Sequence, residues 1–103
     1  MGRVLEVCVD SVESAASAAR GGATRLELCA NLVIGGTSPD EDLFRMVRER
    51  VDIPIRVLLR PRFGDFLYSE DEFELLRRQV RRFAALGADG VVIGVLRPDG
   101  ALD

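Results

Sequence analysis

The sequence contains no lysine, no histidine and no tryptophan. Its 14 positively charged residues are therefore all arginine, and the chain has no amine for a Schiff base, no P-loop lysine and no imidazole general base. Any zinc site would have to be built without histidine. Cysteine is scarce too, with Cys8 and Cys29 the two present. Long apolar runs are missing: no stretch approaches the roughly 20 residues that span a bilayer, and Met1 to Asp10 lacks the basic-then-apolar layout of a secretion signal. Gly2 is followed by Glu6 where a myristoylation motif needs Ser or Thr. These absences predict a cytoplasmic chain without a membrane partner, in which both cysteines are free thiols. Seventeen acidic residues leave a net charge of −3, which argues against a nucleic-acid partner. The cluster Arg77, Arg78, Arg81 and Arg82 reads as a solvated helix face, since Glu74 precedes Arg78 in the stabilising i,i+4 order.

What the chain does have is 48% apolar residues in a strand-then-helix repeat. Val4 to Asp10 is rich in β-branched residues and alternates, with Val4, Glu6 and Cys8 on one face and Leu5, Val7 and Val9 on the other. Asp10 and Glu13 predict a capping box for a first helix that Gly21-Gly22 ends. A second strand is expected at Thr24 to Cys29. After the Gly35-Gly36 loop, Ser38-Pro39-Asp40-Glu41 supplies a cap, a first-turn proline and an acid, and a second helix runs to about Arg50. Pro54 to Arg60 predicts a third strand, with its proline at the ladder's edge. Ser69 and Glu72 cap a third helix whose stripe is Phe73, Leu76, Val80, Phe83 and Ala84. Gly90 to Leu96, almost wholly apolar, reads as a strand covered on both faces.

This alternation implies parallel strands joined by helical crossovers, an α/β fold. A doubly wound sheet would want glycines after the first strand, where Asp10-Ser11-Val12-Glu13 stands. A TIM-type (β/α) barrel fits better, because Glu6, Glu27 and Arg60 fall on strand positions otherwise reserved for core, as at the C-terminal mouth of a barrel. Four strands do not close a barrel of eight, so residues 1–103 are expected to form a partial barrel domain.

The first two strands echo each other. Leu5-Glu6-Val7-Cys8 and Leu26-Glu27-Leu28-Cys29 repeat Leu-Glu-x-Cys, and alternation puts Glu and Cys on one face in both. With level register the two thiols would approach closely, and soft sulfur ligands favour Cu(I). The competing reading is that both cysteines are small buried apolar residues.

The runs Leu5 to Glu13, Gly21 to Cys29, Gly35 to Pro39, Arg60 to Ser69 and Gly90 to Leu96 together resemble the successive signatures of the CutC family, in order along the whole chain. The resemblance implies a TIM-type barrel and a cytoplasmic role in copper homeostasis, with Cys8 and Cys29 at the positions proposed to bind Cu(I). Thr24 stands where an acid is common and Phe63 where a second glycine is common. The family's later half, with its Thr-Phe-His-Arg strand motif, has no counterpart here, so the segment is expected to be the N-terminal part of a CutC-like domain.

Two other functional readings stand beside copper. In the first, an enzyme binds a small anionic ligand, a carboxylate or phosphate, through Glu6, Arg60, Arg62 and Asp65. Glu27 or Glu6 then acts as general acid or base and Arg60 as the obvious ion-pair partner for both, with Phe63, Phe66 and Tyr68 on a covering loop. The bland form of this reading is a charge network that only neutralises itself. In the second, the chain is a fragment without independent activity, which completes itself by self-association or through the missing C-terminal half.

Overall fold

A computed structural model describes residues 3–62, 64, 65 and 67–93. Its elements alternate: strand β1 (Glu6–Val9), helix α1 (Val12–Arg20), strand β2 (Arg25–Leu28), a short 3-10 turn (Leu32–Ile34), helix α2 (Glu41–Arg50), strand β3 (Ile55–Leu58), helix α3 (Glu70–Ala85) and strand β4 (Gly90–Val92). All strand pairs are parallel, and the spatial order is the chain order, β1-β2-β3-β4. A doubly wound sheet reverses its order to place helices on both faces. Here the order never reverses, as in one side of a (β/α) barrel.

Alternation along the strands separates two faces. Val7 and Val9, Leu26 and Leu28, and Ile55 and Val57 point outward to a core shared with Val12 and Ala15 of α1, Phe44 and Val47 of α2, and Leu76 and Phe83 of α3. The Phe44 and Phe83 rings meet edge to face, with centroids 5.7 Å apart, and lock α2 to α3. On the opposite, inner face stand Glu6, Cys8, Arg25, Glu27, Arg56 and Leu58, each exposed or half-buried.

The helix starts differ from the sequence expectation by one or two residues. Ser11, not Asp10, caps α1: its hydroxyl accepts from Ser14 N–H while the Ser14 hydroxyl accepts from Ser11 N–H. Asp40, not Ser38, caps α2, accepting from the N–H groups of Asp42 and Leu43. Ser38 instead ties β3 to α3: its hydroxyl accepts from Arg60 N–H and lies 3.2 Å from Gln79 Oε1. The Ser69/Glu72 capping box forms as the spacing predicts. On α3, Leu76 and Phe83 are buried and Val80 is partly so, but Phe73 and Ala84 are exposed, so the buried stripe is narrower than the periodicity suggests. The arginine cluster does face solvent, with Arg78 on Glu74 at 3.2 Å and Arg82 reaching Glu41 of α2 at 2.6 Å. Strands are shorter than their apolar runs. Positions 94–96 of the last strand run, and the loop aromatics Phe63 and Phe66, lie outside the described residues.

Candidate functional site

The inner face gathers the residues that the sequence marks as chemical, in an arrangement set by register. Glu6 is level with Arg25 and Cys8 with Glu27, while Val9 is level with Leu28, the residue before Cys29. The two Leu-Glu-x-Cys motifs are therefore staggered by two residues. Cys8 has a carboxylate beside it, and Cys29 sits one inward-facing step further along β2. From strand spacing and rise, their Cα atoms are separated by roughly 8 Å, beyond the reach of a disulfide without backbone movement. Both cysteines are free thiols.

Their environments differ. Cys8 is exposed, and its Sγ donates to Glu27 Oε2 at 3.4 Å. Desolvation, the bond to Glu27 and the negative charges of Glu27 and Glu6 push its pKa up from the ordinary thiol value. Cys29 has no accessible surface; its Sγ donates weakly to Val9 carbonyl oxygen at 3.5 Å. Gly36 covers it with φ +91°, and a Cβ there would stand 2.9 Å from Leu58 Cδ2 and 3.7 Å from Cys29 Sγ. Only glycine meets both demands, the left-handed backbone and the close approach. Burial, followed by the charges of Cys8, Glu27 and Asp10, raises the Cys29 pKa to about 12. Its proton thus stabilises the fold fully below the ordinary thiol pKa, and that contribution is lost as pH rises towards about 12.

The charged residues do not converge as expected. The partner of Glu6 is Arg25, at 2.7 Å, and not Arg60. Glu6 also opens β1 instead of closing it, so it lies at the N-terminal end of the sheet, and the pair remains partly solvated. Arg60 turns to the loops, donating to the carbonyls of Gly36 at 3.2 Å and Gly64 at 2.6 Å. Arg62 commits its guanidinium to Glu72 at 2.5 Å, to the carbonyls of Asp65 and Leu67 and to the Asp65 carboxylate, and it stacks on Tyr68 at 5.2 Å. That network organises the loop between β3 and α3. It also holds the Glu72 carboxyl below its ordinary value, chiefly through the Ser69 backbone bond and then through Arg62. Glu27 keeps the Cys8 thiol as its neighbour.

Two inner-face arginines, Arg25 and Arg56, escaped the reading of the sequence as candidates. The signal was present: each stands at an inward position of an alternating run, Arg25-Leu26-Glu27-Leu28 and Ile55-Arg56-Val57-Leu58. Among the described residues, no three His, Cys, Asp or Glu side chains converge as a metal-holding group, so any site here is a two-sulfur set with Glu27 at its margin. No helix among them is long and apolar enough to cross a membrane.

The Cys8–Glu27 bond has a measurable consequence. Alkylation follows the thiolate fraction, so Cys8 should react slowly near pH 7.5 and faster by close to tenfold per pH unit below its pKa. Glu27→Gln removes a negative charge, and the Cys8 rate at pH 7.5 is expected to rise at least twofold. Cys29 should stay unmodified until the chain is unfolded. Iodoacetamide kinetics read by peptide mass would show this, and an unchanged Cys8 rate in the variant would break the link between the two side chains.

Comparison with known proteins now adds to the geometry. The CutC family model matches residues 3–103. The copper homeostasis protein cutC homolog of Mus musculus is 51% identical over 102 residues, covering 99% of this chain and 38% of the mouse protein. A family protein CutC from Xanthomonas campestris pv. campestris (strain 8004) is 50% identical over 99 residues, covering 96% of this chain and 41% of its own length. The crystal structure of CutC from Streptococcus agalactiae superposes with a TM-score of 0.86 at 28% identity, covering 97% of this chain and 49% of that one. The chain thus spans about two fifths of the length of these curated relatives. Matched from residue 3 to residue 103 and half identical to such relatives, it belongs to the CutC family.

Proposed function

We propose that this chain serves copper homeostasis in the cytoplasm by holding Cu(I) between Cys8 and Cys29, with the ion as cargo. The supporting observation is the placement of two reduced thiols on the same face of adjacent parallel strands, close enough for the charge of Cys8 to raise the pKa of Cys29. Cu(I) is a soft ion for which two thiolates are a sufficient donor pair, and hard cations gain little from such a set. Cys8 is the accessible sulfur and the point of entry; Cys29 is the sheltered one. Both thiols must lose a proton to bind the metal, and both have raised pKa values. Binding therefore releases protons and tightens as pH rises.

Competition titration with a Cu(I)-selective chelator, under reducing conditions, tests the reading. The expected result is one high-affinity equivalent that weakens by at least tenfold in Cys8→Ala and in Cys29→Ala, and that weakens in the parent chain as pH falls from 8 to 6. Affinity unchanged from the parent chain in both variants would remove these residues from copper binding. A role for Glu27 and Arg60 on a small anion has less support, because Arg60 and Arg62 direct their donors to loop carbonyls and carboxylates.

A further inference from the structure

Cys29 is closed off on one side by a loop. Residues 31–36, which follow β2, return to lay the Gly36 backbone over the cysteine, so that a Cβ on Gly36 would stand 3.6 Å from Cys29 Cβ. The loop is built as a unit. Ala30 and Thr37 exchange both backbone hydrogen bonds at its neck, at 2.8 and 2.7 Å, and within it the N–H groups of Ile34 and Gly36 donate to the Asn31 carbonyl and that of Gly35 to the Leu32 carbonyl. Ser38, next along, donates its N–H to the Arg60 carbonyl and accepts from Arg60 N–H, which fixes the neck to the end of β3. Little burial holds the rest down. Asn31, Val33, Ile34 and Gly35 are exposed, and Asn31, Gly35 and Gly36 all have positive φ. A segment with so few apolar contacts opens at low cost. Arg60 grips it from the next β/α unit: Nη1 donates to the Gly36 carbonyl at 3.2 Å and Nη2 to the Gly64 carbonyl at 2.6 Å, joining this loop to the one after β3.

We propose that the Arg60 side chain is the latch of a flap, residues 31–36, that opens to admit a ligand to Cys29; on the Cu(I) reading above, the ion completes its two-sulfur site only while the flap is raised. A sulfur without accessible surface cannot meet an ion arriving from solvent, whereas the exposed Cys8 takes it first. Arg60 is a positioning residue here and touches no metal. Its guanidinium is a charged donor, so each bond is stronger than one between neutral groups, and a single planar fork bridges two loops. The neck bonds use the backbone of Arg60 and not its side chain, so they persist when the latch lets go, and the flap pivots about Ala30 and Thr37 without unravelling. Gly36 has no side chain to withdraw from Leu58 and Cys29, so raising it forfeits little apolar contact.

Iodoacetamide labelling of the folded chain, read by peptide mass with circular dichroism as the check on folding, tests the latch without copper. Arg60→Met removes the donors and keeps the length, and the Cys29 rate is expected to rise at least tenfold over the parent chain, with the Cys8 rate unchanged. Arg60→Lys keeps the charge but has no fork to bridge two carbonyls; its Cys29 rate should lie between the two, and it carries the test if Arg60→Met does not fold. Arg48→Met is the matched control. The Arg48 guanidinium also donates to two carbonyls, those of Val51 and Ile53, but in the last turn of α2, and its loss should leave Cys29 protected. Cu(I) transfer from a chelator complex should be at least threefold faster in Arg60→Met than in the parent chain. An unchanged Cys29 rate in both Arg60 variants, or an equal rise in Arg48→Met, would overturn the latch, and unchanged Cu(I) transfer beside a raised Cys29 rate would overturn its part in loading. A parent chain that binds no Cu(I), with the rise in Cys29 labelling intact, would strike the copper reading and uphold the latch.

Discussion

Phe44→Ala is expected to lower the unfolding free energy by about 3–5 kcal/mol, the range for deleting a fully enclosed aromatic ring. Phe44 has no accessible surface. It lies on α2, the middle of the three helices, and meets Phe83 of α3 edge to face. Alanine would leave a cavity at the junction of two helices and the sheet, and the backbone of α2 is anchored at both ends. Asp40 caps its start, and Arg48 in its last turn donates to the carbonyls of Val51 and Ile53. Such a site collapses poorly, which places the expectation towards the upper part of the range. Against the 5–15 kcal/mol typical of a domain, this is a large share. Urea denaturation followed by circular dichroism would measure it, and a loss below about 1.5 kcal/mol would mean that the α2–α3 junction is loosely packed.

Asp89→Ala should cost about 2–3 kcal/mol, for a reason unconnected with core volume. The Asp89 carboxylate accepts from the backbone N–H of Ile55 at 2.8 Å and from Arg48 at 3.1 Å, while its own N–H donates to the Ile55 carbonyl. One side chain thus joins the starts of β3 and β4 to the end of α2. The Arg48 pair is partly solvated and contributes little by itself. Most of the cost comes from Ile55, a residue with no accessible surface whose N–H would lose its acceptor. Asp89→Asn keeps an oxygen for that N–H and removes only the charge, so it should fall well short of the alanine value. Equal effects of the two variants would transfer the role to the Arg48 ion pair.

The period of two in the strand runs decides which residues face inward, and Glu6, Cys8, Glu27 and Cys29 all lie where that period puts them. Register was not legible. The Leu-Glu-x-Cys echo suggests level motifs, yet the sheet offsets them by two residues, because stagger between barrel strands follows from tilt and hydrogen bonding along the whole sheet. That offset is why Cys8 meets Glu27. The caps of α1 and α2, unlike that of α3, differ for a smaller reason: Asp10 and Ser11, and Ser38 and Asp40, are all good caps, and local backbone geometry selects between them. Ion-pair partners were the least legible. Charge alone points Arg60 at Glu6 and Glu27, whereas Arg25 on the neighbouring strand is nearer to Glu6, and the donors of Arg60 turn to the Gly36 and Gly64 carbonyls. Short-range pattern carries facing and element type; pairing depends on distances that arise only when the sheet forms.

The unbroken strand order also bears on how the chain folds. Each strand pairs with the next one synthesised, so every loop to be closed is about 20 to 35 residues long, and the entropy of closure differs by only about 0.6 kcal/mol for a doubling of length. Among the described residues, no strand pairing waits for a distant segment. The β1–β2 pair encloses the shortest loop and the β3–β4 pair the longest, so assembly can proceed from the N-terminus as the polypeptide emerges, each new strand finding its template already in place.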